Sequence, residues 1–504
     1  MPPPTLGPRT LVAIDRRSAL PLYRQVRRAI EHGISTGIFV PHHRLPSSRE
    51  LAAELDISRN VVNLAYQELI AEGFVISHER KGLFVNGALT KTAPVSDTAV
   101  RVPDDGIDWE ARVNRFADAR LPRITKPANW WEYPYPFIAG QVDLRTFPVR
   151  AWTRMLRESL YRPHLEHSLQ DWGSADDPML VDMIRKHLLP ARGIEATPDQ
   201  ILVTVGSQQG LDLVSRLLLG PGHRVAVENP GYLDAKHIFA RSGADLVGFP
   251  VDERGMQLPE SLAGISLVYV TPSHHHPTNV TLTRRRRERL LDLAARSSTV
   301  VVEDDYDSEF RYSGQPTPAL KALDAGGDVI YLGTFSKFLA PGLRVGYLVG
   351  PAEFVREVRE ARRYSTRHAP GQIQRALALL IESGDYQRTV RRHRAELSKR
   401  WAAVVEAVNT QLTWQTHPAP GGVSVWMSGP PGLDAGVLVR NAARHGVLIE
   451  RGDVFFLRDC AGAARDESPP ASRNHFRIGF SAIELGLIRP GIAALARVID
   501  EQLG

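Results

Sequence analysis

Lys337 stands in the most suggestive chemical setting of this sequence. It closes Tyr331-Leu332-Gly333-Thr334-Phe335-Ser336-Lys337, an apolar strand pattern ending in small hydroxylated residues. The C-terminal edge of a parallel strand is where an open α/β sheet receives its ligands. A lysine placed there can form a Schiff base with an aldehyde. Arg344, seven residues on, adds a guanidinium that suits a phosphate next to the Ser336 hydroxyl. Taken alone Ser-Lys means little, because most lysines are solvated surface charges.

A second group gives Lys337 a context. Thr299-Val300-Val301-Val302-Glu303-Asp304-Asp305-Tyr306 reads as a buried strand ending in carboxylates and a phenol. Carboxylates at a strand end also suit Mg²⁺. A pyridoxal ring instead needs one carboxylate opposite its ring nitrogen, which keeps that nitrogen protonated and the ring an electron sink. A phenol can hydrogen-bond the ring's 3′ oxygen, so Asp304 and Tyr306 match both needs. Val203-Thr204-Val205-Gly206-Ser207-Gln208-Gln209-Gly210 is strand, glycine turn and helix start, whose amides can hold a phosphate; an ordinary glycine turn reads the same way. Tyr232, after Asn229-Pro230-Gly231, can face a flat cofactor. Arg477, on the late strand His475–Gly479, suits a carboxylate or sulfonate.

These residues need a sheet to hold them. Ile201–Val205, Arg224–Val227, Leu267–Val270, Thr299–Val302 and Val329–Leu332 are nearly continuous apolar runs separated by helical patterns. Such runs predict an α/β domain with a mainly parallel central sheet, covered on both faces. It extends over residues 133–504. Residues 89–132 are polar and contain proline, and read as a linker, in which Trp109–Arg120 is a possible helix. Cys460–Arg473 is small, polar and proline-rich and reads as a surface insertion.

Residues 18–88 have another texture. Leu22–Ile34 is an amphipathic helix. Ser47 and Glu50 form a capping box for a second helix ending near Leu55. After Asp56-Ile57-Ser58, Ser58 can cap a third helix with Val62, Leu69 and Ile70 on its apolar side. Two helices across such a turn make a helix-turn-helix, whose second helix enters the major groove of double-stranded DNA. Arg49, Ser58, Arg59, Asn60 and Asn63 are the candidate contacts there. Two strands around His78-Glu79-Arg80-Lys81-Gly82 make a wing, with Arg80 and Lys81 at its tip. The alternative is a helical interaction module with a solvated basic face.

Length and composition set the outer limits. The 504 residues predict two to four units, and 43% hydrophobic with 23% charged residues is ordinary for a globular chain. The formal charge of +6 is too dilute to name a partner. The single cysteine, Cys460, excludes an intramolecular disulfide and any cysteine-cluster metal site. With neither a signal-peptide pattern nor an apolar run of membrane length, the expectation is a cytoplasmic protein with no membrane association.

The string RLPSSRELAAELDISRNVVNLAYQELIAEGFVISHERKGLFV resembles the GntR-type winged helix throughout, except that Arg80-Lys81-Gly82 replaces the usual Gly-Arg-Gly. From about Tyr133 onward the chain resembles fold-type I aminotransferases. EDDYDSEFRYSG and YLGTFSKFLAPGLRVGYLV are close to the wording of the MocR/GabR-type subfamily of GntR regulators, which joins the two domains. The resemblance implies pyridoxal 5′-phosphate held through Lys337, with Asp304 at the ring nitrogen and Tyr306 at the 3′ oxygen. It implies Ser207, Gln208, Ser336 and Arg344 around the phosphate, Tyr232 by the ring, and Arg477 receiving the acidic group of an amine or amino-acid effector. It also implies a homodimer.

Thr271–Asn279 departs from the aminotransferase Asn-Pro-Thr-Gly: His276 takes the place of an asparagine that helps hold the ring oxygen. Three consecutive histidines invite a zinc site, but neighbours point apart and lack ligand spacing, so no metal is expected. Arg284–Arg287 reads as a solvated helix start. The functional expectation is a transcription regulator whose effector reacts at Lys337 and alters promoter binding. The alternatives are a working aminotransferase with a fused DNA reader, and a sensor of the cofactor itself.

Overall fold

The computed structural model describes residues 14–16, 18, 20–79, 81–89, 107–113, 121–124, 126–307, 309–312, 317–337, 339–414, 418–419, 421–457 and 473–504. Arg80 and Cys460, most of the expected Cys460–Arg473 insertion and much of the expected linker therefore lie outside the described residues. The chain divides into two compact units, Met1–Val113 and Asn114–Gly504.

In the first unit, α1 (Leu22–Ser35), α2 (Ser48–Leu55) and α3 (Arg59–Ala71) precede the strands β1 (Val75–His78) and β2 (Gly82–Val85). The reciprocal capping box at Ser47 and Glu50 starts α2, and the Ser58 hydroxyl accepts from the Val61 amide to start α3. Asp56 ends α2 in the left-handed region at φ 52°, which aspartate tolerates through its short polar side chain. β1 and β2 pair antiparallel from Val75↔Val85 to His78↔Gly82. Val26, Ile30, Leu51, Val62, Ala65, Tyr66 and Leu69 make the core. Ile70, expected on the apolar side, is exposed, because the buried stripe Val62-Ala65-Tyr66-Leu69 has already rotated past it.

The second unit carries β3 (Tyr135–Pro136), β4 (Ile201–Thr204), β5 (Arg224–Asn229), β6 (Asp245–Asp252), β7 (Gly255–Met256), β8 (Leu267–Val270), β9 (Val300–Asp305), β10 (Val329–Thr334) and β11 (Gly346–Val349). It continues with β12 (Ser424–Ser428), β13 (Val447–Leu448), β14 (Glu450–Arg451) and β15 (His475–Gly479). The main sheet runs β4-β11-β10-β9-β8-β5-β6-β7. β10, β9, β8, β5 and β6 are parallel neighbours, while β11 is antiparallel to both β10 and β4. Every expected strand is present, and β5, β9 and β10 run farther toward the sheet's C-terminal edge than their apolar runs suggest. Helices on both faces bury this sheet, and a smaller one, β12-β15-β14, packs with the long C-terminal helix Leu485–Leu503.

The basic run Arg284–Arg287 that opens the helix Arg284–Ser297 is not simply solvated. Arg287 is fully buried and donates to the carbonyls of Leu282 (2.9 Å), Pro318 (2.8 Å) and Pro272 (2.6 Å). Arg286 pairs with Asp252 through Nη2 at 2.7 Å. Five guanidinium donors in a fixed fork let one arginine serve several loop carbonyls at once, and sequence spacing does not reveal that use. Among the described residues, no helix is long and apolar enough to cross a membrane.

Candidate functional site

Five strands of the main sheet each deliver a piece of the site at the C-terminal end. β4 leads through Gly206 to Ser207 and Gln208, β5 to Tyr232, β8 to His276, β9 to Asp304 and Tyr306, and β10 to Ser336 and Lys337. These residues, with Arg344, line one cavity of about 270 Å³. All nine expected cofactor residues therefore meet, although they span Ser207 to Arg344 in sequence.

Strand alternation separates the three consecutive carboxylates. Glu303 accepts the amides of Leu320 and Lys321, both at 2.8 Å, and Asp305 pairs with Arg192 Nε at 2.7 Å and the Tyr331 hydroxyl at 2.8 Å. Successive side chains point to opposite faces, so Asp304 alone turns into the cavity. Its Oδ2 accepts from the Tyr269 hydroxyl at 2.8 Å, while its buried Oδ1 has no hydrogen-bond partner in the chain. Burial pushes the Asp304 carboxyl up to about 7. A buried carboxylate with one oxygen left without a donor in this way fits a protonated ring nitrogen.

The rest of the cavity also fits pyridoxal phosphate. The buried Ser336 hydroxyl has no hydrogen-bond partner. The helix Ser207–Leu218 starts at Gly206, whose φ of 76° favours glycine and where a Cβ would come 3.0 Å from the Arg344 guanidinium. Hydroxyl, helix start and guanidinium make a cradle for a phosphate. Burial first, then the charges of Lys126 and Arg477, bring the Lys337 ammonium below its ordinary value, against Asp307 and Asp304. That shift enlarges the neutral, nucleophilic fraction of the amine. When bound, the cofactor supplies an aldehyde that reacts with amines and a ring that draws electrons from the reacting carbon.

The three adjacent histidines take separate partners. His274 Nδ1 lies 2.9 Å from Asp307, and His275 Nε2 lies 2.9 Å from the Pro230 carbonyl. His276 Nε2 lies 2.7 Å from Arg477 Nη1. A guanidinium only donates, so His276 Nε2 accepts and the proton of the neutral ring sits on Nδ1. That nitrogen is buried without a partner. His276 thus lines the cavity with one ring N–H that has no partner in the chain.

The residues 22–85 match the family of bacterial regulatory proteins of gntR type, and residues 142–492 match aminotransferase class I and II. The regulator TauR of Rhodobacter capsulatus is 40% identical over 95% of this chain and 96% of its own. The probable rhizopine catabolism regulatory protein MocR of Rhizobium meliloti is 31% identical over 96% of this chain and 95% of its own. The chain belongs to the MocR-type GntR regulators. Its second unit also resembles LysN, the α-aminoadipate aminotransferase of Thermus thermophilus solved with N-(5′-phosphopyridoxyl)-L-leucine. That match has a TM-score of 0.68, with 27% identity over 79% of this chain and 99% of the enzyme.

Within this MocR-type chain the sequence reading overlooked several site residues. Tyr269 holds Asp304 from β8, a tyrosine among apolar strand residues that was the available signal. Asp234 also lines the cavity and accepts from Gln208 Nε2 at 2.8 Å and the Tyr232 hydroxyl at 3.0 Å. Gln208 and Tyr232 are thereby tied to each other. Arg477 stands one layer back: it reaches the cavity through His276 and is paired with Glu450.

In the DNA-reading unit, Arg49, Ser58, Arg59, Asn60 and Lys81 are exposed, and Asn63 is half-buried. Arg59 Nε lies 3.3 Å from the Ser48 hydroxyl, which links the starts of α2 and α3. The exposed face of α3 continues through Leu64 and Gln67, a helical spacing from Asn60 that the sequence reading did not follow. Arg44 was also overlooked; its Nε lies 3.3 Å from where a Cβ on Gly82 would be, so a further cation sits beside the turn end of the wing.

Proposed function

We propose that this chain is a cytoplasmic, homodimeric transcription regulator in which an amine or amino-acid effector reacts at Lys337 and thereby alters promoter binding. The carrying observation is the convergence of Lys337, Asp304, Tyr306 and the Ser207–Ser336–Arg344 cradle in one cavity, on a chain that also presents a GntR-type recognition helix. With the cofactor bound, Asp304 would hold the ring nitrogen's proton, Tyr306 and His276 would address the ring oxygen, and the cradle would hold the phosphate. Lys337 would be the residue that holds the cofactor's aldehyde and that an incoming amine would have to replace. An effector shifts the DNA-binding equilibrium only if it favours one of two states of the chain.

The deciding experiment screens amines and amino acids against the visible cofactor band, with binding to the gene's upstream DNA followed in parallel. An amine that changes both signals together supports the regulator. Spectral change with no effect on DNA binding, at any effector concentration, argues against it. The aminotransferase reading keeps one supporting observation, the complete Lys337–Asp304–Tyr306 set, and sustained turnover of an amino donor with a keto acid would establish it.

A further inference from the structure

We propose that Lys126 is a specificity-determining residue of the effector site: with Arg477 and Glu450 it forms a subsite, carrying one net positive charge, for the single anionic group of a short amino acid or aminosulfonate. This rests on reading Lys337 as the residue at which the effector reacts.

Lys126 belongs to the segment that precedes the first strand of the large unit, far from the motifs that define the site. Its ammonium donates to the Ala139 carbonyl and lies 3.0 Å from Glu450 Oε1. Glu450 Oε2 accepts from Arg477 Nε at 2.7 Å and from Nη2. One buried carboxylate is thus shared between two cations, one on each oxygen. Gly140 joins this group to the reaction centre. A Cβ there would lie 3.6 Å from Lys126 Nζ and 3.6 Å from Lys337 Nζ, so the two amines are at most twice that distance apart. A short chain is enough to place an effector nitrogen at Lys337 and its acid by Lys126.

The charges explain why Arg477 does not suffice. Its Nε and Nη2 are committed to Glu450, and Nη1 to His276. An acid approaching the Arg477–Glu450 pair alone meets cation and anion together and gains little net attraction. Lys126 restores one unit of positive charge. It is also the accessible member: its side chain is 31% exposed, against 6% for Glu450 and 6% for Arg477. The two cations hold Glu450 below the usual carboxylate range despite its burial, so it remains charged and the balance persists near neutral pH.

The test uses the full-length, cofactor-loaded protein and its Lys126→Met and Lys126→Arg variants. Each is titrated with β-alanine, 2-aminoethanesulfonate and propylamine while the visible cofactor band is followed. In Lys126→Met the two acids should lose about 10- to 100-fold in binding relative to propylamine, the scale of a lost charged contact, with Lys126→Arg restoring the preference. Lys126 also lowers the Lys337 ammonium. The pH at which cofactor-free protein takes up pyridoxal phosphate should therefore move upward in Lys126→Met, a displacement that a merely structural residue would not cause. Equal weakening for all three amines, no weakening, or a wild type that fails to prefer the acids would overturn the role of Lys126. A wild type without a cofactor band, or a band that survives in Lys337→Ala, would instead overturn the reading of Lys337 on which it stands.

Discussion

Arg477 donates to His276 Nε2 across 2.7 Å, and that one hydrogen bond sets which face of the imidazole carries the proton. Burial first, then Arg477, hold His276 well below the ordinary imidazole value, so the ring is neutral with its proton on Nδ1. Replacing Arg477 with glutamine removes one of the lowering charges. The His276 titration, followed by NMR of labelled histidine, should then move upward while burial still keeps it below that of a free histidine. An unchanged titration would dissociate the two residues.

Asp304→Asn should weaken cofactor retention by about 10- to 100-fold, since a charged hydrogen bond contributes roughly 1.5–3 kcal/mol. Equilibrium dialysis measures it. Without cofactor the sign reverses. The folded Asp304 carboxyl is raised to about 7, so the folded chain binds more protons than the unfolded one between the ordinary aspartate value and 7. Stability from this group is full at low pH and is lost as pH rises through that window. Cofactor-free wild type should lose thermal stability relative to cofactor-free Asp304→Asn as pH climbs from about 4 to about 7.

Arg59→Ala should weaken binding to the upstream DNA by roughly 1–3 kcal/mol if Arg59 reads a base edge. If it contacts a phosphate, the salt dependence should instead fall by about one ion. The cofactor spectrum should not change in either case. Fluorescence anisotropy at several salt concentrations separates these outcomes, and an unaltered affinity and sequence preference would count against α3 as the reading helix.

Arg287→Leu should destabilise the second unit by about 3–5 kcal/mol, because it strips donors from three backbone carbonyls around a buried side chain. Differential scanning calorimetry reads the loss. A substitution at exposed Arg285, two residues earlier, should stay within about 0.5 kcal/mol.

The sequence alone determined the parts of this protein that are local. The Ser47–Glu50 capping box, the Ser58 cap, the apolar strand runs and the Ser336-Lys337 and Asp304-Asp305-Tyr306 endings all depend on neighbours a few residues apart. Strand alternation even separates Asp304 from Glu303 and Asp305 once the strand is recognised. Tertiary structure decided whatever required two distant segments to touch. Tyr269 meets Asp304 because β8 pairs with β9, Arg287 finds three loop carbonyls, and Lys126 and Arg477 meet across Glu450 from opposite ends of the large unit. Such contacts leave no periodic trace, because no spacing along the chain relates the partners. Arg477 was legible as a cation on a late strand, but the carboxylate that shares it, and the second cation that compensates for that sharing, became visible only when the fold closed around them.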